Sequence, residues 1–208
     1  MMEWNAIVLA GGRAARLGGI DKCAIEIGGR RLLDAALAAT AGASARVIVG
    51  PERRWARDVP RVLEEPRYGG TQVAVDAGLR ALADTPEQLT AVVAADQPRA
   101  DDALAEIMKE VRPQAPVDGW VAMDYGGNRH PLLAVYRTES LRRALAAERA
   151  EAGRLGRQMQ GLLSRLTVRP VQLLGYLCAD IDTPIELVEH GLDPERILPR
   201  EALRVQPG

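Results

Sequence analysis

The residues best suited to chemistry cluster near the start of the chain. There the apolar run Ile7-Val8-Leu9-Ala10 gives way to Gly11-Gly12-Arg13-Ala14-Ala15-Arg16-Leu17-Gly18-Gly19-Ile20-Asp21-Lys22. Paired glycines let backbone N–H groups turn toward an anion with no Cβ in the way. Arg13, Arg16 and Lys22 bring the positive charge that a triphosphate requires. The spacing suits neither of the two commonest phosphate loops. A dinucleotide fingerprint needs glycines at the first, third and sixth positions, which from Gly11 read Gly, Arg, Arg; a Walker A loop needs Gly-Lys before Ser or Thr, which does not follow. An ordinary strand-to-helix turn is a weak alternative, since turns seldom need four glycines and three cations within residues 11–22.

Acidic candidates lie far downstream. Asp96, in Ala95-Asp96-Gln97-Pro98, directly follows an apolar run. A carboxylate at a strand end meets the needs of Mg²⁺, which takes one or two carboxylates plus phosphate oxygens and water; the competing account is a turn or cap residue before the next helix. In Asp180-Ile181-Asp182-Thr183-Pro184-Ile185-Glu186, Thr183 as N-cap, Pro184 at N1 and Glu186 at N3 predict a capping box opening a helix. That leaves Asp180 and Asp182 without a structural account.

The elements that must position these groups show in the hydrophobic periodicity. Apolar runs of strand length recur at 5–10, 46–49, 61–63, 90–95, 119–124, 132–136 and 167–173, and helical spacing occupies 32–41, 72–83, 102–111, 140–149 and 155–166. Alternation of the two predicts a three-layer α/β/α arrangement around a mostly parallel sheet. Residues 90–95, without polar alternation, read as a central strand buried on both faces. Gly126-Gly127-Asn128 predicts a hairpin that adds an antiparallel element, so the sheet is expected to be mixed. In open α/β sheets ligands bind at the carboxyl ends of strands where strand order reverses, which would bring the 10–22 loop and Asp96 to one crevice.

At 208 residues and 47% hydrophobic content, one domain over 1–208 is the expectation, with the Pro-bearing tail 191–208 partly unstructured beyond a short helix near 194–197. A net charge of −1 provides no global field for nucleic acid or an anionic membrane, so any polyanion must meet a local cluster. Cys23 and Cys178 lack zinc or redox spacing, no signal peptide or membrane-length apolar run is visible, and a reducing cytoplasm is the expected location.

Residues 9–22 resemble the nucleotide-binding signature of the molybdenum cofactor guanylyltransferases. That pattern runs Leu-Ala-Gly-Gly, three residues, Arg-Met-Gly-Gly, one residue, Asp-Lys, and only its Met is changed, to Leu17. The resemblance implies a Rossmann-like nucleotidyltransferase fold of the GT-A-like kind. It also implies transfer of GMP from GTP to the phosphate of molybdopterin or molybdenum cofactor, with loss of pyrophosphate and no covalent intermediate. Arg16, Lys22 and Asp96 would then be catalytic, and Leu9, Ala10, Gly11, Gly12, Arg13, Lys22, Glu65 and Asp96 would hold the nucleotide, Glu65 against the guanine N1–H and exocyclic amine. Asp96 and Asp182 would bind Mg²⁺, with Mn²⁺ as an alternative, and His130 and Arg157 would meet the acceptor. A molybdoenzyme or its chaperone is the implied partner. His130 reads equally as a structural histidine, and Arg157 as part of a solvated helix face.

The chain departs from the family at Gly69-Gly70-Thr71-Gln72-Val73-Ala74, where Gly-Pro-Leu-Ala-Gly is usual, and at Gly50, where an Asn often contacts nucleotide. Both departures bear on base specificity. Cytidylyl transfer, nucleotidyl transfer to a sugar phosphate, or a non-catalytic nucleotide-binding module are therefore the competing readings; intact Arg16, Lys22 and Asp96 speak against the last.

Overall fold

The computed structural model describes residues 2–204. Its strands are β1 (Asn5–Leu9), β2 (Glu26–Ile27), β3 (Arg30–Arg31), β4 (Ala45–Val49), β5 (Arg61–Val62), β6 (Leu89–Ala94), β7 (Gly119–Met123), β8 (Arg129–Arg137) and β9 (Val168–Gln172). Seven of them form one sheet in the order β5-β4-β1-β6-β8-β7-β9, while β2 and β3 make a separate small hairpin about Gly28 and Gly29. β8 runs antiparallel to both its neighbours, and every other adjacent pair in the large sheet is parallel. The mixed sheet expected from the 126–128 turn is therefore present, and the reversed strand is the one that follows that turn.

Side-chain alternation along the central strands divides the core between two faces. Val8, Ile48, Val93 and Trp120 pack under α1 (Leu32–Ala39), α3 (Ala100–Glu110) and the short α6 (Gly175–Cys178). Ile7, Val47, Val92 and Val121 pack under α2 (Thr71–Ala81), α4 (Thr138–Ala152) and α5 (Met159–Leu162). β6 is buried along its whole length, which is why residues 90–95 show no polar alternation. Among the described residues no helix is long and apolar enough to cross a membrane.

A third cluster lies beneath the glycine-rich loop. Leu17, Ile25 and Leu32 meet Ile181, Leu187 and Leu198 there, drawing in α7 (Pro184–Glu189) and α8 (Pro194–Ile197). The short helix expected near 194–197 forms, and Leu198 and Ala202 are buried against the loop. The last four residues lie outside the described ones. The helix expected over 155–166 is corrected. α4 runs on to Ala152 and is stopped by Gly153 in the left-handed region, φ 67°; 154–158 is irregular, and only α5 and the single 3-10 turn Leu163–Arg165 follow.

From β1 the chain builds outward through β4 to β5, then crosses back to place β6 on the other flank of β1. Strand order therefore reverses between β1 and β6, and the crevice belongs at their carboxyl ends. The glycine-rich loop leaves β1 at that edge. Ala95 and Asp96 leave β6 beside it, with Ala95 N–H donating to the Leu9 carbonyl at 2.9 Å.

Candidate active site

The loop after β1 is shaped by two tight turns. Ala15–Leu17 forms a 3-10 turn flanked by Ala14 and Gly18 in the left-handed region, and Lys22–Ala24 forms a second, N-capped by Asp21, whose Oδ1 accepts from Cys23 N–H at 3.2 Å. The cap fixes where Lys22 starts. Its ammonium lies between two carboxylates distant in the chain, donating to Asp96 Oδ2 at 2.8 Å and to Asp182 Oδ1. Arg16 lies farther out, with Nη1 4.0 Å from the other oxygen of Asp182. Burial opposes the charge on Lys22, but Asp96 and Asp182 outweigh it and hold its pKa above the usual ammonium value.

Asp182 is placed by the predicted capping box. Thr183 Oγ1 accepts from Glu186 N–H at 3.4 Å, and the Glu186 carboxylate accepts from Thr183 N–H at 2.7 Å and from Asp182 N–H at 2.6 Å. Asp180, adjacent to this acidic group, is pushed up to about 6 by burial and by the charges of Asp96, Asp182 and Glu186.

One residue the sequence reading passed over organises the loop. Arg53 is 8% exposed and grips Asp21 through Nε and Nη2, both at 2.7 Å, while Nη2 also donates to the Ala10 carbonyl at 3.0 Å. A single guanidinium thus ties both ends of the 10–22 loop together. Gly50 makes this possible: a Cβ there would stand 2.5 Å from the Ala10 carbonyl oxygen, so the chain carrying Arg53 can cross that close only with glycine. The departure at Gly50 accordingly has a packing reason. Within Glu52-Arg53-Arg54-Trp55 nothing distinguished one arginine from the next. The available signal was Asp21, an acidic residue in a phosphate-binding loop that calls for a cationic partner.

Two adjoining cavities open on this edge. The larger, about 660 Å³, is lined by Gly12, Arg13, Arg16, Lys22, Asp96 and Asp182. The smaller, about 370 Å³, is lined by Leu9, Glu64, Tyr68, Thr71, Leu132 and Arg157; Gly11, Gly12, Arg13 and Asp96 border both. Arg13 lies over the Tyr68 ring, 4.6 Å from its centroid, at the junction.

The residues singled out from sequence are distributed unevenly over this site. Arg16, Lys22, Asp96 and Asp182 converge in the larger cavity, and Gly11, Gly12 and Arg13 form the shared wall. Leu9 lines the smaller cavity, whereas Ala10 is buried behind the wall and contributes its carbonyl to Arg53. Glu65 is exposed and lines neither cavity; its neighbour Glu64 is buried against Gly11, with Oε1 accepting from Tyr68 N–H at 3.1 Å. His130 also lines neither cavity and sits 3.3 Å from Asp124, in the turn closed by Asn128. Arg157 reaches the smaller cavity, beside Glu64 and Tyr68.

Asp96 and Asp182 direct carboxylate oxygens at one cationic atom, a donor set that suits a hard divalent ion. Among the described residues no group of three or more His, Cys, Asp or Glu gathers as a metal cage.

The chain is similar in sequence and in fold to known proteins. Residues 6–166 match the model of the MobA-like NTP transferase domain. The chain is 31% identical over 194 residues to the molybdenum cofactor guanylyltransferase of Pseudomonas paraeruginosa, covering 89% of this chain and 93% of that protein. To the protein of the same name from Acidiphilium cryptum it is 41% identical over 81 residues, which span 36% of this chain and 41% of that protein's length. In three dimensions it superposes on molybdopterin-guanine dinucleotide biosynthesis protein A from Archaeoglobus fulgidus with a TM-score of 0.65 at 21% identity, over 89% of this chain and 96% of that one. With the glycine-rich loop, the reversed strand order and a family match spanning most of the sheet, the chain belongs to the MobA-like NTP transferase domain family and is a nucleotidyltransferase.

Proposed function

We propose that this protein transfers GMP from GTP to the phosphate of a molybdopterin-type acceptor. An acceptor phosphate oxygen forms a bond to the α-phosphorus of GTP as the bond from that phosphorus to the α,β-bridging oxygen breaks, and pyrophosphate departs. The observation that carries this reading is the convergence of Lys22 with Asp96 and Asp182 at the β1/β6 switch point. The names of the relatives supply the guanine and the molybdopterin.

In such displacements a protein contributes chiefly position and charge. Backbone N–H groups of Gly11 to Arg13 are suited to the phosphates at the wall shared by the two cavities. Lys22, whose pKa is raised, keeps its proton at neutral pH and offers a fixed cation to the α-phosphoryl group. Arg13 and Arg16, more exposed, suit the β- and γ-phosphates that leave. A Mg²⁺ held by Asp96 and Asp182 would supply charge neutralisation across the phosphate oxygens.

The smaller cavity suits the nucleoside. There Glu64, rather than Glu65, presents a carboxylate to the paired donors N1–H and N2–H of guanine. Delivery of the finished dinucleotide to a molybdoenzyme or its chaperone completes the proposed role.

The decisive experiment incubates the protein with GTP, Mg²⁺ and molybdenum cofactor and measures pyrophosphate. Release that depends on both GTP and cofactor is the expected result. GTP binding with no pyrophosphate release would reduce the protein to a nucleotide-binding module, and stronger thermal protection by CTP than by GTP would reassign the base.

A further inference from the structure

Residues 70–72, where the chain leaves the family's usual pattern, form a latch on the irregular segment after α4. Thr71 N–H donates to the Arg157 carbonyl at 2.7 Å; Thr71 Oγ1 donates to the same carbonyl at 3.2 Å and accepts from Met159 N–H at 2.9 Å. Gln72, only 1% exposed, accepts Gly156 N–H on Oε1 at 2.7 Å and donates from Nε2 to the Gln158 carbonyl at 3.0 Å. Gly70, with φ 105°, lets the two backbones meet, because a Cβ there would collide with the backbone of Arg157. A Pro-Leu pair has neither the hydroxyl nor the amide that these bonds use.

The latch has a ligand-facing consequence. It fixes the backbone on both sides of Arg157, whose side chain borders the smaller cavity together with Glu64, Tyr68 and Leu132. Among the described residues the Arg157 guanidinium takes part in no ion pair, unlike Arg53 at the other cavity, so its donors remain available to a ligand. It also stands apart from the point where Lys22, Asp96 and Asp182 meet, since it borders the smaller cavity and not the larger.

We infer that Arg157 is a specificity residue that reads the O6/N7 edge of guanine, held in place for that task by Thr71 and Gln72; this rests on the guanylyl reading above. A guanidinium is the side chain that matches the two acceptors O6 and N7. Glu64, in the same cavity, takes the two donors on the adjoining N1/N2 edge of the purine. The pair then selects by sign. Adenine would set its N6 amino group against the guanidinium and its N1 lone pair against the carboxylate, and cytosine would oppose its N4 donors to the guanidinium.

The test uses the full chain with Mg²⁺ and no acceptor, so that binding alone is read. Dissociation constants are measured for GTP, 7-deaza-GTP, ITP and CTP. The wild-type protein is expected to bind 7-deaza-GTP, which lacks N7, about tenfold more weakly than GTP, the loss of one charged hydrogen bond. Arg157→Ala, an exposed position where folding is not at issue, should bind the two equally while still penalising ITP, which lacks the amino group assigned to Glu64. Thr71→Val keeps Arg157 and the Thr71 N–H bond but removes the two hydroxyl bonds of the latch, and should lose part of the same discrimination. The inference is overturned if Arg157→Ala keeps the 7-deaza penalty, or if the wild type never shows it while preferring GTP to ITP and CTP. Equal binding of GTP and CTP by the wild type would instead remove the guanylyl reading itself.

Discussion

The larger cavity, to which we assign the triphosphate, takes Arg13, Arg16 and Lys22 from one unbroken stretch and adds single residues, Asp96 from the end of β6 and Asp182 from the turn between α6 and α7. The smaller cavity, to which we assign the base, shares the wall Gly11 to Arg13 and is completed by short contributions after β5, at the start of α2, in β8 and beyond α4. The difference follows from the proposed ligands. A triphosphate asks for backbone N–H groups, cations and a divalent ion whatever the nucleotide, and one loop at a strand end can supply most of that. A base edge asks for donors and acceptors in a particular order, which side chains from separate elements must provide. One side is therefore constrained as a unit, and the other can change residue by residue while the fold persists.

The sharpest way to break this comparison is to remove charge at the point of convergence. Asp96→Asn and Lys22→Met should each lower kcat by about 10²–10³, the cost of losing one preorganised electrostatic group. The double substitution should cost far less than the product of the two, because both act on one cluster of oxygens. Steady-state kinetics beside a thermal melt separates this loss from unfolding. A kcat within about threefold of wild type for Asp96→Asn would mean that the chemistry lies elsewhere.

Arg53 tests whether the phosphate side is rigid because it is tied. Arg53→Met keeps the buried stem and removes the bonds to Asp21 and Ala10. Asp21 is partly exposed, and water can replace its lost partner, so the stability cost belongs at the low end, about 1.5 kcal/mol. That corresponds to a fall in Tm of about 3–6 °C for a chain of this length. Functionally the loop loses its anchor rather than its cations: KM for GTP should rise about tenfold with kcat changed less.

On the base side the contrast lies between neighbours. Glu64→Gln exchanges one acceptor of a buried carboxylate for a donor and should reduce the preference for GTP over CTP about tenfold, leaving the response to Mg²⁺ unchanged. Glu65→Gln, at an exposed position, should change neither. Competition between nucleotides in a binding assay reads both.

What the sequence disclosed divides along the same line. Strands β1 and β6 read as apolar runs because both are buried on two faces, and the cationic loop and Asp96 follow from where those runs end. The capping box of Thr183, Pro184 and Glu186 is a local pattern and appears as read. At Glu65 the local pattern is less informative: past the end of β5 the alternation of sides continues, so that Leu63 and Glu65 are exposed while Glu64 turns inward to the Tyr68 N–H. The helix expected over 155–166 failed for a tertiary reason. Its periodicity is real, with Leu155, Met159 and Leu162 all buried, but the side chains of Thr71 and Gln72 occupy the backbone groups that a first helical turn would have used. No local pattern in 153–166 records the existence of residues 71 and 72.

The smallest effect separates support from contact on the phosphate side. Thr183→Ala removes one half of the capping box and touches no cavity-lining atom. Losing an N-cap of this kind costs about 1 kcal/mol, or about 2–4 °C in Tm here. The remaining half still holds: Glu186 continues to accept from the N–H groups of 182 and 183, but without the hydroxyl that steadies its own N–H. Asp182 should then wander slightly while Asp96 and Lys22 stay in place. The expected signature is a two- to threefold rise, about 0.5 kcal/mol, in the Mg²⁺ concentration for half-maximal activity, with the GTP-to-CTP ratio unchanged. An altered base ratio in Thr183→Ala would show that the two cavities are mechanically coupled, and the separation drawn between them would fail.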